Sequence, residues 1–238
     1  MLKTSALSVD TRLYDVALEI HAGECAAVLG PNGAGKSTLL SALAGLLKAM
    51  GNIYWMDREL ERIPYIERGR MLAWLGQESA AEFAFPVREV VAQGRFAHGD
   101  ESQEIEQIDE SMAAVDISLI ANRSVTELSG GERRRVFIAR ALATGAPIQL
   151  WDEPASNLDV RHTLEVYALA RRLANNGACV LISLHDIRAA YSFDRVIVLN
   201  QGKLVADGPP HDVLTAPLIR SVFRVEARFL TSLVPELL

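Results

Sequence analysis

The chain has 238 residues, half of them hydrophobic, which is enough to bury a full core and excludes an intrinsically disordered protein. Its net charge of −6 and its sequence pI of about 5.4 exclude the basic footprint of nucleic-acid-binding proteins, so we expect no nucleic-acid partner. The sequence has no apolar run near the roughly 20 residues that a membrane-spanning helix needs. No secretory signal is recognisable either, which predicts a reducing cytosolic environment and free thiols at Cys25 and Cys179.

The first part of the chain predicts strands. Residues 2–20 alternate between apolar and polar side chains in two short pieces, the pattern of antiparallel strands. Residues 24–29 form an apolar run, which predicts a buried strand. The connection between the two short pieces, residues 9–13, contains no aromatic side chain.

A glycine-rich segment follows the buried strand and fits the P-loop pattern G-x-x-x-x-G-K-[ST]. Its glycines let backbone N–H groups approach a polyphosphate, and the next helix directs the positive end of its dipole at the same oxygens. Lys36 is predicted to contact the β- and γ-phosphates, and Ser37 to bind Mg²⁺. The predicted nucleotide-binding residues here are Gly30, Pro31, Asn32, Gly33, Ala34, Gly35, Lys36, Ser37 and Thr38.

The middle of the chain changes character after a short strand. Residues 39–49 predict a helix, and residues 52–56 and 71–75 predict strands, the second of which ends just before Gln77. From about residue 78 to residue 145 the spacing is helical and rich in carboxylates, which predicts a helical subdomain inserted into an α/β framework. The acidic run 100–109 is interpreted as a solvated helix face.

Leu128 to Arg133, with the sequence LSGGER, precedes an arginine-rich helix predicted over residues 134–143. Ser129 and Glu132 have the spacing of a capping box, so this segment could serve only to start a helix. Two glycines weaken the first turn of a helix, however, and they favour a site where backbone N–H groups approach a phosphate.

Two carboxylates, Asp152 and Glu153, follow a strand predicted at residues 147–151. In hydrolytic P-loop proteins the first would face Mg²⁺, and the second would orient and polarise the attacking water. Gln149 and Trp151 interrupt the aliphatic run, which predicts a strand that is not uniformly buried. The α/β pattern then continues with a helix at 160–174, a strand at 178–183, a hairpin around 200–202 and a helix at 209–223.

Together these motifs resemble those of ATP-binding cassette (ABC) ATPases, over about residues 2–223. The resemblance makes Leu128 to Glu132 the signature motif and Gln77 the glutamine that touches Mg²⁺ and water. It also makes residues 156–159 the D-loop and His185 the switch histidine that contacts the γ-phosphate. The further nucleotide-binding residues that it implies are Ser129, Gly130, Gly131, Glu132 and Asp159.

The resemblance implies an α/β fold with a P-loop NTPase core around a mixed sheet, an N-terminal antiparallel β subdomain and an inserted helical subdomain. All of these belong to a single domain, residues 1–238. The implied cofactors are ATP and Mg²⁺, and the implied partner is a second copy, paired head to tail so that each ATP lies between one P-loop and the other signature motif. Permease subunits would hold the chain at the cytoplasmic face of the membrane, and a substrate-binding protein would act through them.

One feature departs from the family pattern. These ATPases usually carry an aromatic residue that stacks on adenine, but residues 9–13 contain none. Tyr14 is the nearest aromatic side chain, and it is predicted to lie on the following strand.

The segment Phe85 to Arg95 is similar to its counterpart in importer ATPases for iron–siderophore, haem and cobalamin, which favours import of a metal chelate. The alternative from this segment is a generic amphipathic helix. Two other classes of ABC protein remain open: an exporter cassette, and a soluble ABC ATPase that acts, for example, in iron–sulfur assembly.

Overall fold

The fold is seen in a computed structural model that describes residues 1–77, 83–99 and 101–227. Residues 78–82, at the start of the predicted helical insert, lie outside the described residues, as does residue 100 in the predicted acidic run. The strands, in chain order, are β1 (Leu2–Val9), β2 (Leu13–Ile20), β3 (Cys25–Leu29), β4 (Met50–Trp55), β5 (Arg58–Glu59), β6 (Leu72–Leu75), β7 (Ile148–Trp151), β8 (Cys179–Ser183), β9 (Arg195–Asn200) and β10 (Lys203–Gly208).

Helices occupy the connections between these strands. They are α1 (Lys36–Leu43), α2 (Tyr65–Met71), α3 (Val87–Ala92), α4 (Glu101–Ala113), α5 (Gly130–Ala143), α6 (Val160–Asn175), α7 (Pro210–Val213) and α8 (Ala216–Phe223). The connection between β6 and β7 contains α3, α4 and α5. None of the helices in the described ranges has the length and hydropathy that crossing a bilayer requires.

The strands form two sheets. One is antiparallel, with the spatial order β2-β1-β4-β5, and the other has the order β10-β9-β3-β8-β7-β6. In the second sheet β9, β3, β8, β7 and β6 run parallel, and β10 pairs antiparallel with β9 at one edge. The α/β fold with a mixed sheet and an N-terminal antiparallel sheet is therefore confirmed.

The second sheet is the centre of the molecule because both of its faces are covered. Alternate residues of β3 pack on opposite faces of this sheet. Ala27 and Leu29 pack with the helices on one face, whereas Ala26 and Val28 pack against the antiparallel sheet and α1 on the other. Cys25 and Cys179 are buried and free, as predicted. Burial raises the pKa of both thiols to about 12, so neither is reactive at neutral pH.

Strand β7 differs from its prediction, because all four of its residues are buried. The polar atoms of its two non-aliphatic side chains are satisfied locally: Gln149 Nε2 donates to the Ala146 carbonyl at 2.7 Å, and Trp151 Nε1 donates to Gln149 Oε1 at 3.1 Å. A buried amide is tolerated when both its donor and its acceptor are used. The prediction of a partly exposed strand was wrong for that reason.

Candidate functional site

The parallel strands deliver the candidate residues to one edge of the second sheet. The P-loop follows β3, Gln77 follows β6, and the carboxylates Asp152 and Glu153 follow β7. His185 comes two residues after the end of β8. Because these strands are neighbours and run in the same direction, their carboxyl ends meet, and this edge of the sheet is where ligands bind in open α/β folds.

The P-loop wraps around the N-terminus of α1. Gly30, Gly33 and Gly35 all have positive φ angles, of 156°, 77° and 104°, so the chain follows a path that favours glycine. Lys36 is only 6 % exposed, and its ammonium group donates to the Gly30 carbonyl at 2.8 Å. Burial lowers the pKa of Lys36, while the nearby carboxylates of residues 152 and 153 act in the opposite direction. The lysine charge is therefore held inside the loop, close to both carboxylates.

Asp152 and Glu153 are buried and are fixed by a residue that was not predicted, Ser183 at the end of β8. The Ser183 hydroxyl donates to Asp152 Oδ1 at 2.5 Å and accepts the Glu153 backbone N–H at 2.9 Å. Glu153 has a φ of 50°, a left-handed conformation that non-glycine residues rarely adopt. Serine at a strand end carries no distinct sequence signal, so only the fold shows this contact.

Glu153 connects the other two predicted catalytic side chains. Gln77 Nε2 donates to Glu153 Oε2 at 3.0 Å, and His185 Nε2 lies 2.5 Å from Glu153 Oε1. His185 is half exposed, whereas the Glu153 side chain is only 9 % exposed. The structure thus brings residues 77, 153 and 185 together as one cluster of polar side chains with an open side, in which Gln77 is hydrogen-bonded to Glu153 and His185 lies in ion-pair distance of it.

A second unpredicted residue, Arg134 of α5, lies beneath this cluster and is 2 % exposed. Its guanidinium donates to backbone carbonyls of the two loops that follow β6 and β7. Burial lowers the pKa of Arg134 to about 10, while the carboxylates of Asp152 and Glu153 act in the opposite direction, so it remains charged at neutral pH. The sequence showed only an arginine-rich helix; which arginine points inward depends on how α5 packs.

The predicted signature segment forms the start of α5. Ser129 Oγ accepts the Glu132 N–H at 3.2 Å, and Glu132 Oε2 accepts the Ser129 N–H at 2.9 Å, which completes the capping box. The hydroxyl of Ser129 also donates to Glu132, and the hydrogen bonds from Ser129 lower the pKa of the Glu132 carboxyl. Ideal Cβ atoms on Gly130 and Gly131 would come near Asn157 at 3.4–3.9 Å, so the segment lies beside the loop 156–159.

Asp159 has a structural contact in the single chain. It caps the N-terminus of α6, accepting the His162 backbone N–H at 2.9 Å and lying 2.8 Å from the ring nitrogen Nδ1 of His162. The hydrogen bonds with His162 lower the pKa of the Asp159 carboxyl. Among the described residues, no hydrogen bond or ion pair joins Asp159 or the segment 129–132 to the P-loop.

Tyr14 lies at the start of β2, as predicted, and its ring is partly exposed. Its hydroxyl donates to the Thr11 carbonyl at 2.9 Å, and its backbone N–H donates to the Gly202 carbonyl at 2.8 Å. An ideal Cβ at Gly35 would contact Leu13 and the Arg12 carbonyl, so the β1–β2 connection packs directly against the P-loop.

The residues predicted for Mg²⁺ fit that ion only in the presence of phosphates. Ser37, Gln77 and Asp152 offer hydroxyl, amide and carboxylate oxygens, which are the hard ligands that Mg²⁺ prefers. Within the part of the chain that the structure describes, no cluster of three histidine, cysteine or acidic side chains could hold a metal by itself. Mg²⁺ is usually held by one or two carboxylates together with nucleotide phosphates, and this donor set agrees with that mode.

Comparison with known proteins gives the family. The ABC transporter family profile matches residues 13–156. The hemin import ATP-binding protein HmuV of Pseudomonas aeruginosa is 42 % identical over 238 residues, which cover 95 % of this chain and 93 % of that protein. HmuV of Thermobifida fusca is 38 % identical, over 93 % of this chain and 80 % of the relative.

Solved structures agree in fold. The dimeric structure of MJ0796, a bacterial ABC transporter cassette, matches with a TM-score of 0.80 and 27 % identity, over 88 % of this chain and 99 % of that one. An inward-facing metal-chelate type ABC transporter matches with a TM-score of 0.81 and 25 % identity, over 94 % and 89 % of the two chains. The chain therefore belongs to the ABC transporter family, as an ATP-binding cassette whose ATP hydrolysis powers transport.

Proposed function

We propose that this cassette hydrolyses ATP to power the import of haem through a partner permease. The observation that carries the proposal is the cluster at Glu153, which provides a base for ATP hydrolysis, in a chain whose relatives are named hemin import ATP-binding proteins. The similarity to a metal-chelate type transporter supports the same class of substrate. Of the three predicted substrates, iron–siderophore, haem and cobalamin, the names of these relatives support haem.

In the proposed mechanism the P-loop and Lys36 hold the triphosphate, with the helix dipole of α1 adding to the positive field. Glu153 orients the attacking water and takes its proton as the oxygen bonds to the γ-phosphorus and the bond to ADP breaks. Gln77, which is hydrogen-bonded to that carboxylate, and His185, which lies 2.5 Å from it, position the carboxylate. In the proposed mechanism the same two side chains contact the water and the γ-phosphate. Mg²⁺ held by Ser37, Gln77 and Asp152 would neutralise charge on the phosphate oxygens.

The complete site needs a second copy of the chain. In a single chain the segment 129–132 lies beside the loop 156–159 rather than at the P-loop. We therefore propose that Ser129, Gly130, Gly131 and Glu132 of one copy close over ATP bound to the other, with Asp159 at the interface. The dimeric MJ0796 cassette supports this arrangement by its similarity.

Permease subunits are the proposed second partner, and a substrate-binding protein would act through them. This arrangement would keep the chain peripheral, at the cytoplasmic face of the membrane. Haem itself would contact those other subunits, so its identity is tested by transport rather than by binding to this chain.

The test is haem uptake in a strain that lacks this gene. We expect deletion to abolish growth on haem as the only iron source and to reduce uptake of labelled haem. A plasmid copy of the natural chain should restore both. A Lys36→Met copy, expressed to the same level, should restore neither, because it lacks the buried charge that the P-loop holds and that is proposed to bind the phosphates.

The outcomes separate the competing functions. Normal haem uptake in the deletion strain, with loss of iron–siderophore or cobalamin uptake, would contradict haem as the substrate. It would still support a role in metal-chelate import. If all three uptakes were normal, import of these metal chelates would be refuted, and an exporter or a soluble role such as iron–sulfur assembly would become the alternative.

A further inference from the structure

We propose that Arg134 is a positioning residue for ATP hydrolysis, one that fixes Gln77 and Glu153 relative to each other by binding the backbone of both loops. Its Nη1 donates to the Gly76 carbonyl at 2.6 Å and to the Gln77 carbonyl at 3.4 Å. The inference rests on the proposed roles of Gln77 and Glu153, and it adds a residue that does not touch the reacting atoms.

The other arm of the guanidinium holds the loop after β7. Nη2 donates to the carbonyls of Asp152 and Glu153, each at 2.8 Å, and Nε donates to the Pro154 carbonyl at 3.0 Å. One rigid, planar group thus binds both loops that carry the cluster. A buried carbonyl without a donor is costly, so these bonds strongly restrict where the two loops can lie.

The conformation of Glu153 makes such a restraint necessary. Its φ of 50° lies in the left-handed region, and such a backbone persists only where the surroundings determine it from several sides. Ser183 holds its N–H, and Arg134 holds its carbonyl, at 2.9 Å and 2.8 Å respectively. The carboxylate is aimed by these two backbone contacts together with Gln77 and His185.

The position of Arg134 in α5 gives the restraint a second consequence. The helix begins at the capping box of Ser129, so Arg134 lies little more than one turn further along. In the proposed dimer the start of α5 closes over the ATP of the other copy. Through Arg134, the same helix also holds the backbone of Glu153 in its own copy. Closure over the ATP of the other copy and alignment of Glu153 for the chain's own ATP therefore depend on one helix.

The test is steady-state ATP hydrolysis by the full chain with Arg134→Lys. An ammonium on a flexible stem cannot reproduce the fork, so the loops should shift and kcat should fall about 10- to 100-fold. The KM for ATP should stay within about twofold, because Arg134 donates to the loops after β6 and β7, whereas the triphosphate is proposed to lie on the P-loop after β3. Should Arg134→Lys unfold below the assay temperature, Arg134→Gln is measured in the same way.

The matched control is Arg140→Lys in the same helix. The guanidinium of Arg140 stacks 4.5 Å above the Phe137 ring, and the kcat of this variant should stay within about twofold of the natural chain. In a Gln77→Ala background, Arg134→Lys should cost clearly less than in the natural chain, because both changes disturb the same cluster. Natural kcat in the Arg134 variant that folds, a raised KM with unchanged kcat, or fully additive losses would overturn the inference. Glu153→Gln in the same assay distinguishes the role of Glu153 in hydrolysis from the positioning role of Arg134. If Glu153→Gln still turned over ATP, the role of Glu153 itself would be refuted.

Discussion

Ser183 shows how much of the site depends on a single buried hydroxyl. It donates to Asp152 Oδ1 and accepts the N–H of Glu153, and its side chain is fully buried. A buried polar group that loses its partner costs more than the average hydrogen bond contributes, because neither water nor another side chain replaces it. Two such groups would be left together if Ser183 were removed.

Ser183→Ala is therefore expected to lower the free energy of unfolding by about 1–3 kcal/mol. It should also lower kcat, because the Glu153 backbone loses one of its restraints. Urea denaturation and ATP turnover measure the two effects. Ser221→Ala is the control: that hydroxyl is exposed and donates only to the Leu218 carbonyl, and its removal should cost less than about 0.5 kcal/mol. Equal stability losses in the two variants would contradict this account of Ser183.

At the scale of single residues, the sequence predicted the side chains proposed for ATP hydrolysis. It did not predict the residues that fix the position of those side chains. Gln77, Glu153 and His185 were identified by motif, and the structure places them in contact. Arg134 and Ser183 act on backbone groups that are distant in sequence, by 18 to 58 positions. No local pattern encodes such a contact, because it exists only after β6, β7 and β8 have paired.

Among the elements, the P-loop shows how close packing restricts which residue can stand at one position. A Cβ on Gly30 would lie 2.3 Å from the Leu199 carbonyl oxygen and 2.9 Å from Ala34 Cβ. The turn after β3 therefore passes directly over the end of β9, and only a residue without a side chain fits there. Strand pairing between β3 and β9 and the phosphate-binding turn thus depend on the same glycine.

Gly30→Ala should consequently abolish ATP binding and lower the free energy of unfolding by at least about 1–3 kcal/mol, the range for a strained backbone. Gly177→Ala is the matched control, since Gly177 also has a positive φ, of 95°, but a Cβ there would meet no atom within 4 Å. It should lose stability through strain alone and bind ATP normally. Nucleotide binding by a fluorescent ATP analogue and thermal unfolding distinguish the two, and normal binding by Gly30→Ala would refute the packing argument.

The boundaries of other elements show where periodicity is a poor guide. The helix predicted over residues 39–49 is α1, which ends at Leu43, because Gly45 takes a left-handed conformation with a φ of 71°. The helix predicted over residues 209–223 is split in two, and the second part starts where Thr215 caps Leu218 with its hydroxyl. Apolar spacing continues across both breaks, so only the glycine and the cap mark them.

At the scale of the whole molecule, the single chain holds half of the proposed site. The P-loop, the carboxylates and His185 meet at one edge of the second sheet, whereas Ser129 caps a helix and has no described bond to the P-loop. Sequence motifs could predict both halves. The resemblance also implied that the two halves come from different copies. The contacts of α5 with the loops after β6 and β7 could not be predicted, because they depend on how the helix packs.

The most direct test of this account is to measure ATP turnover and ATP-dependent assembly of Glu153→Gln. Amide replaces carboxylate at nearly the same size, so binding should be retained and the proton acceptor lost. We expect nucleotide affinity within about twofold of the natural chain, turnover reduced at least about 100-fold, and a stable dimer by light scattering when ATP is added. Ser129→Phe should bind ATP but remain monomeric. Undiminished turnover in Glu153→Gln would contradict the proposed site. So would a Glu153→Gln chain that stays monomeric when ATP is added.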